Sequence, residues 1–305
     1  MNTAKKLPSS AKKHRYQFSG LLFLLPALLL FVGFVVYPIV YNTQASLLHW
    51  DGVNPGTSAG LANYAELFKD PVFLTTLRNS LLWIPLTIIP QALMGFLLAV
   101  ALDQKLAGST AYRALFFVPA ILSPVVVGIV WQRIMDPFNG VLASLGHTLG
   151  LKNLNFDFLG NPKTAIFAVI FVNVWMWTGF SMLFYLAGLQ LIDKSVLEAA
   201  KIDGATGFQT IMRITFPLLK TTHLSLLLLG IIGSLKTFEL IYVMTQGGPA
   251  HASEMLPTYA FQQAFQLQNV GYASAISMVL IVIAVAASLL MVRVFGSGFL
   301  TGDDK

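Results

Sequence analysis

Apolar residues are grouped in six long runs that are separated by more polar segments. The runs cover about residues 20–41, 77–102, 112–134, 164–190, 221–245 and 270–295. Each is about as long as the roughly 20 residues that an α-helix needs to cross the hydrocarbon core of a bilayer. The pattern predicts an all-α polytopic membrane protein with six transmembrane helices in one domain over residues 20–295.

The polar segment at about residues 191–220 has the pattern of two short, capped helices. Ser195 with Glu198 and Thr206 with Gln209 fit capping boxes, and Gly204 fits a helix stop between them. Helices this short are marginal alone in water. We therefore expect the segment to rest against a partner protein.

Composition supports a membrane protein, because 56% of the 305 residues are hydrophobic and only 10% are charged. Soluble domains average about 25% charged residues. The net charge of +6 comes from basic residues at the ends of the apolar runs, without a basic stripe that carries interleaved aromatics. We therefore expect contact with membrane lipid and no nucleic acid partner.

The basic residues also predict an orientation. With alternating loops, one side holds thirteen Lys and Arg residues and the other holds three. The positive-inside rule places the richer side in the cytoplasm. That side includes a basic N-terminal segment (1–19), the 191–220 segment and a C-terminal tail (296–305). The first run lacks a clear cleavage site and is interpreted as an uncleaved span.

Several runs are interrupted by proline and glycine, which predicts a bundle around a cavity, since freed backbone groups need neighbours or water. Lys236 and Glu239 lie three residues apart on one face of the fifth predicted helix. Charged residues in a membrane face a cavity or each other. The two residues are either a self-neutralising pair or a polar lining of a translocation path.

No catalytic or nucleotide-binding motif is complete. Residues 188–195 have P-loop spacing, but Asp193 replaces the second glycine and would repel phosphates. The five histidines lack metal-ligand spacing, and cysteine is absent. We expect no enzyme activity, no metal and no cofactor on this chain.

The 191–220 segment resembles the EAA loop of binding-protein-dependent ABC importer permeases of the maltose type. The matching residues are Glu198, Ala199, Ala200, Asp203, Gly204, Ala205, Phe208, Ile214 and Pro217. Thr245–Pro249 and Gly271–Ile276 extend the resemblance, which covers about Tyr37 to Arg293. It implies the ABC type I importer permease architecture, with the residues from Glu198 to Phe208 docking on an ATPase.

The resemblance also implies partners and a location. They are a second homologous permease, two ABC ATPase subunits that hold ATP and Mg, an extracytoplasmic substrate-binding protein and a carbohydrate substrate. The location would be a bacterial or archaeal plasma membrane, with both termini in the cytoplasm.

Positions that face the sugar in the maltose-type permeases correspond to residues in the fourth and fifth runs. They are Asn173, Met176, Trp177, Phe180, Gly230, Ser234 and Thr237, and Lys236 and Glu239 are candidates for the same path. Two other roles remain open: tryptophan at a helix end can anchor at the membrane interface, and glycine, serine and threonine can serve helix packing.

Three alternative functions are kept. A related permease for glycerol 3-phosphate would use Lys236 as a counter-charge. An ion-coupled secondary transporter would need a coupling carboxylate or paired broken helices. A membrane anchor for an ATPase complex would show no substrate-dependent stimulation of ATP hydrolysis.

Overall fold

The computed structural model describes residues 23–104, 108–151 and 156–295, and these are mainly helical. The predicted terminal segments 1–19 and 296–305 lie outside the described residues. The helices are α1 (Phe23–Ser46), α2 (Ala62–Leu67), α3 (Pro71–Asp103), α4 (Ser109–Ile121), α5 (Pro124–Ile134), α6 (Val141–Leu149), α7 (Ala165–Gln190), α8 (Lys194–Ile202), α9 (Gly207–Leu218), α10 (Lys220–Leu235), α11 (Glu239–Met244), α12 (Leu256–Phe261) and α13 (Val270–Phe295). Strands β1 (Leu48–His49) and β2 (Thr57–Ser58) form an antiparallel pair with Leu48 opposite Ser58.

The membrane-spanning pattern agrees with the predicted all-α fold. Four helices are long and apolar enough to cross a bilayer: α1, α3, α7 and α13. Two bent pairs qualify as well, α4 with α5 at 97° and α9 with α10 at 63°. Counting each bent pair as one span gives up to six spans among the described residues, which is the predicted number.

The third predicted span, 112–134, is not one continuous helix. It breaks between α4 and α5 at Ser123, whose backbone is extended with φ −60° and ψ 133°. Pro124 follows directly, and the proline ring disfavours the α conformation in the residue before it. The sharp bend therefore has a local cause in the sequence.

The fifth predicted span, 221–245, is also wrong as a single helix. The helix α10 ends at Leu235, and α11 begins at Glu239. The N–H groups of Lys236 and Thr237 bond to carbonyls three residues back, at 3.1 Å and 3.3 Å. Such tight turns end an α-helix, so an irregular backbone separates α10 from α11.

Helix α7 forms the centre of the bundle. In the most apolar window of α7, 67% of the residues are buried, compared with none in that of α1. Its neighbours approach closely where glycine lies at the crossing. A Cβ on Gly179 would lie 2.0 Å from the carbonyl oxygen of Phe116 on α4, and one on Gly95 of α3 would lie 2.6 Å from the Cβ of Ser181. Small residues thus hold α3 and α4 against α7.

A separate cluster joins the start of α3 to α12 and α13. Asp70 caps α3, and its Oδ2 accepts hydrogen bonds from Tyr259 (2.5 Å) and Tyr272 (2.7 Å). Burial raises the pKa of Asp70, but these hydrogen bonds and that from the Val72 N–H outweigh it and lower the pKa overall. An ionised carboxylate therefore ties three helices together at this end of the bundle.

Candidate functional site

A cavity of about 440 Å³ lies between α3, α7, α10 and the start of α11. All the residues that were predicted to line a substrate path contribute to its wall: Asn173, Met176, Trp177, Phe180, Gly230, Ser234, Lys236, Thr237 and Glu239. The four on α7 are spaced by three, one and three residues, which places them on one helical face. The structure thus brings the predicted set together, and its use as a sugar path stays a prediction.

An amide pair projects into this cavity from α3 and α7. The Nε2 of Gln91 donates to the Oδ1 of Asn173 at 2.9 Å and lies 3.5 Å from the Asn173 backbone oxygen. Because a backbone carbonyl only accepts, this contact favours the orientation in which the NH₂ of Gln91 points towards Asn173. The Nδ2 of Asn173 and the Oε1 of Gln91 have no protein partner among the described residues. The pair offers the cavity one donor and one acceptor, the complement of a hydroxyl group.

The rest of the wall is largely apolar and aromatic. The rings of Trp177 and Phe180 are 5.8 Å apart and nearly perpendicular, at 89°. Trp83 and Met176 are almost completely buried behind the surface of the cavity. Flat rings beside a few polar groups suit a ligand that has both polar edges and apolar faces.

Lys236 and Glu239 both line the cavity. Of the two alternatives left open for them, the self-neutralising pair is not formed, since no salt bridge joins these two described residues. Lys236 follows the last residue of α10, and Glu239 is the first residue of α11. A cation at a helix C-terminus and an anion at an N-terminus are each favoured by the helix dipoles. The break between the helices therefore gives each charge its own environment, and both side chains are exposed.

The wall contributed by α3 was missed from the sequence. It consists of Trp83, Thr87, Ile88 and Gln91. Gln91 could have been predicted as a cavity residue, because it is an amide inside an apolar run, which is the property that indicated Asn173. Trp83 and Thr87 give no such indication, because tryptophan is common at membrane interfaces and threonine is common in helix packing.

The segment between α7 and α10 folds as the expected two helices, although the first is capped differently. Asp193, rather than Ser195, is the N-cap of α8, and its Oδ1 accepts from the Ser195 N–H at 2.9 Å. The predicted Ser195–Glu198 box is wrong because the helix begins one residue before Ser195. The hydrogen bond from Ser195 lowers the pKa of Asp193, so the cap is an anion at a helix N-terminus.

The turn between α8 and α9 agrees with the prediction at Gly204. Its φ of +79° is the left-handed conformation that glycine adopts at low cost. The Gly204 N–H bonds to the Lys201 carbonyl at 3.1 Å, and the Ala205 N–H bonds to the Ala200 carbonyl at 3.0 Å. This is a Schellman motif. The predicted Thr206–Gln209 capping box is present and starts α9.

The surface of this segment is apolar as well as charged. Of the predicted docking residues, Ala200 is buried and Ala205 is half-buried, whereas Glu198, Ala199, Asp203, Gly204 and Phe208 are exposed. Phe208 is 71% exposed, and Ile202 and Leu191 in the same segment are 86% and 87% exposed. Several exposed apolar side chains within one segment commonly mark an interaction site.

Residues 71–295 match a known family, described as binding-protein-dependent transport system inner membrane component. The match covers most of the chain. The chain belongs to this family. It is a multi-pass membrane permease, as the helices that can cross a bilayer indicate.

Two relatives of this permease resemble it over nearly its whole length. The probable ABC transporter permease protein YurN of Bacillus subtilis (strain 168) is 38% identical over 280 residues, which are 91% of this chain and 96% of YurN. The multiple sugar-binding transport system permease protein MsmF of Streptococcus mutans serotype c is 31% identical over 278 residues, covering 91% and 95%.

The fold of the permease also occurs in a solved structure. A chain of a bacterial ABC transporter that is involved in the import of the acidic polysaccharide alginate superimposes with a TM-score of 0.79. The two chains are 25% identical, and the match covers 92% of this chain and 98% of the other.

A buried carboxylate organises the segment of the permease that follows α11. Glu254 is almost completely buried, and its Oε2 lies 3.1 Å from the Nδ1 of His251. Asn79 of α3 donates to the carbonyls of Ala252 and Glu254 at 3.0 Å and 2.9 Å. The contact of the carboxylate with His251 and the two Asn79 hydrogen bonds hold this loop against α3.

Proposed function

We propose that the chain is the transmembrane permease subunit of an ATP-driven importer that carries a saccharide. The observation that carries the proposal is the cavity, where α3 and α7 present amides beside aromatic rings and α10 completes the wall. Family membership supplies the transporter class, and relatives such as MsmF are sugar permeases.

The chemistry of the cavity supports a saccharide as cargo. A sugar ring has hydroxyl groups at its edge and apolar C–H groups on its faces. The Gln91–Asn173 pair provides a donor and an acceptor for hydroxyl groups, and Trp177 provides a flat surface for a ring face. Together they recognise a polyhydroxylated ligand without a requirement for charge.

The energy source in this proposal is ATP, bound with Mg on two ATPase subunits, so the permease itself needs no cofactor. The exposed surface around Phe208, Glu198 and Gly204 is the docking site for one of these subunits. A second, related permease completes the path, and an extracytoplasmic binding protein delivers the saccharide. Both termini and the α8–α9 segment lie in the cytoplasm in this arrangement, as the Lys and Arg distribution indicates.

An uptake experiment tests the cargo. The complete importer with its own binding protein is reconstituted in proteoliposomes, and the uptake of lactose, raffinose and maltotriose is compared with that of trigalacturonate and glycerol 3-phosphate. We expect ATP-dependent uptake of at least one neutral saccharide, with Trp177→Ala slowing it and the control Ile89→Val, at an exposed position of α3, leaving it unchanged. Uptake driven by a proton or sodium gradient without ATP would refute the proposal.

An anionic cargo is the second candidate, and Lys236 is the observation that favours it. Its ammonium group belongs to the wall of the cavity and is not neutralised by Glu239. In the same experiment, uptake of trigalacturonate or glycerol 3-phosphate alone, with loss on Lys236→Gln, would select this candidate. Uptake of neutral saccharides that survives Lys236→Gln would reject it.

A further inference from the structure

The ring of His223 joins the proposed docking segment, α8 and α9 (residues 194–218), to the central helix α7. His223 lies in the first turn of α10, immediately after the 63° bend from α9. Its Nε2 lies 2.9 Å from the backbone oxygen of Phe216, near the end of α9. Its Nδ1 lies 2.8 Å from the hydroxyl of Tyr185 on α7. One side chain thus contacts both elements through opposite edges.

The partners determine where the proton lies on the imidazole. A backbone carbonyl only accepts hydrogen bonds, so Nε2 must carry the hydrogen that bonds to Phe216. In the neutral ring Nδ1 is then an acceptor, and the Tyr185 O–H donates to it. The two bonds form a directed chain from Tyr185 through His223 to Phe216.

The surroundings of His223 leave the ring little room to move. The ring of Phe216 lies 4.4 Å from it, and Phe96 of α3 packs against both, at 5.4 Å from Phe216 and 6.5 Å from His223. One turn beyond Tyr185, a Cβ on Gly188 would lie 2.5 Å from the Oγ1 of Thr222. The end of α7 and the start of α10 are therefore in direct contact at two adjacent places.

Tyr185 also relates this link to the cavity. It lies eight residues, about two helical turns, after Trp177 on α7. A displacement of the Phe216 carbonyl would displace α7 as well, because hydrogen bonds and close side-chain packing connect the two without an intervening loop. Chains of packed and hydrogen-bonded groups of this kind carry coupling between distant sites.

We propose that His223 is a positioning residue that couples the docking segment to the cavity helix. When the ATPase moves α8 and α9, the Phe216–His223–Tyr185 link makes α7 follow, so that the cavity wall moves with the docking segment. This inference rests on the proposed function, because it assumes that an ATPase docks on α8 and α9.

The absence of cysteine from the chain allows a direct test. Gly233 lines the cavity, and a Cβ there would have no atom within 4 Å, so Gly233→Cys is a suitable reporter. The complete importer with its binding protein is labelled from the outer face with a membrane-impermeant maleimide, with and without ATP and vanadate. Trapping of nucleotide on the ATPase is measured in the same sample.

We expect ATP and vanadate to raise the labelling rate of the reporter. His223→Leu should reduce this nucleotide-dependent rise by about tenfold, which corresponds to 1.4 kcal/mol, while nucleotide trapping persists. His223→Gln should restore most of the rise, because an amide offers one donor and one acceptor. Thr221→Ala, an exposed change two residues away, is the matched control and should retain the full rise.

Other results would overturn the inference. A full rise in labelling in both His223→Leu and Tyr185→Phe would show that the link transmits nothing. Tyr185→Phe removes only one oxygen atom, so it keeps the test possible if His223→Leu fails to assemble. If His223→Leu loses both the rise in labelling and the trapping of nucleotide, His223 has a purely structural role. If the reporter shows no rise even with His223 present, the proposed ATP-driven opening itself fails, which is distinguishable from failure of the link alone.

Discussion

Replacing Gln91 by leucine should weaken substrate handling by about tenfold. The change removes the donor to Asn173 Oδ1 and keeps a side chain of similar size. Asn173 is only 9% exposed, so its unpaired oxygen regains few bonds from water. The change also removes the Oε1 acceptor that Gln91 presents to the cavity, and leaving a substrate hydroxyl or a buried acceptor without a partner costs about 1–3 kcal/mol. Gln91 itself is half-buried beside an open cavity, which places the expected cost near the lower end of that range, at about 1.4 kcal/mol.

The effect should appear in the uptake of substrate rather than in basal ATP hydrolysis, because Gln91 lies in the cavity wall and not in the docking segment. The assay is the initial rate of ATP-dependent uptake in proteoliposomes, for whichever saccharide of the panel is carried, as a function of the loaded binding protein. We expect a higher KM for the loaded binding protein or a lower kcat, with basal ATP hydrolysis unchanged. Ile89→Val, two residues away on the exposed face of α3, is the matched control.

A double-mutant cycle with Asn173→Leu separates pairing from simple packing. Removing both amides should cost less than the sum of the single changes, because neither the Gln91 NH₂ donor nor the Asn173 Oδ1 acceptor is then left without its partner. Gln91→Glu is informative as well. A carboxylate cannot donate, so the Asn173 amide must turn its NH₂ towards residue 91. Asn173 then presents its Oδ1 acceptor to the cavity instead of its NH₂ donor. Unchanged uptake in Gln91→Leu, or strictly additive effects in the cycle, would refute the assignment of this pair as a substrate contact.

Three further predictions concern the scaffold. Gly204→Leu should destabilise the turn between α8 and α9 by about 1 kcal/mol, because a residue with a Cβ is disfavoured at φ +79° although no atom lies within 4 Å of that Cβ. The number of substrate molecules transported per ATP hydrolysed should fall, and an unchanged number would argue against docking at this turn. Single cysteines at Ser195 and Ser58, both exposed, should react with an impermeant maleimide from opposite faces of the membrane, and labelling from one face would show that the span count is wrong. Gly179→Ala should lower the melting temperature of the purified complex, because its Cβ would lie 2.0 Å from the Phe116 carbonyl, while Gly233→Ala, which has open space, should not; equal melting temperatures would contradict the close crossing of α4 and α7.

The sequence was sufficient to predict the helical membrane fold and the positions of the docking helices, because both depend on local patterns. Apolar run length predicts a span, and the Gly204 turn and the Thr206 box are determined by neighbouring residues. The α8 cap was misassigned because Asp193 and Ser195 both suit an N-cap, and only the backbone shows which residue precedes the first helical turn.

The cavity was predictable only in part. The positions on α7 and α10 came from the resemblance to the maltose-type permeases, and their helical spacing is consistent with one shared face. The α3 wall depends on which face of a uniformly apolar helix packs inward, and the sequence pattern does not show this. The helix break at Lys236–Phe238 was missed because this stretch contains no proline and lies inside the fifth apolar run, whose pattern predicts one helix.

The interruption between α10 and α11 explains why polar chemistry can exist at this depth in the bundle. Irregular backbone within a membrane is tolerated where it lines a cavity, since water or ligand can satisfy the freed polar groups. Here the break places Lys236, Thr237 and Glu239 in the wall of the cavity, beside the Asn173 face of α7. The opposite end of α10 carries His223, which contacts α7 and the last turn of α9. Because α10 touches the cavity at one end and the docking segment at the other, a movement that α10 and α7 make together would change both sites.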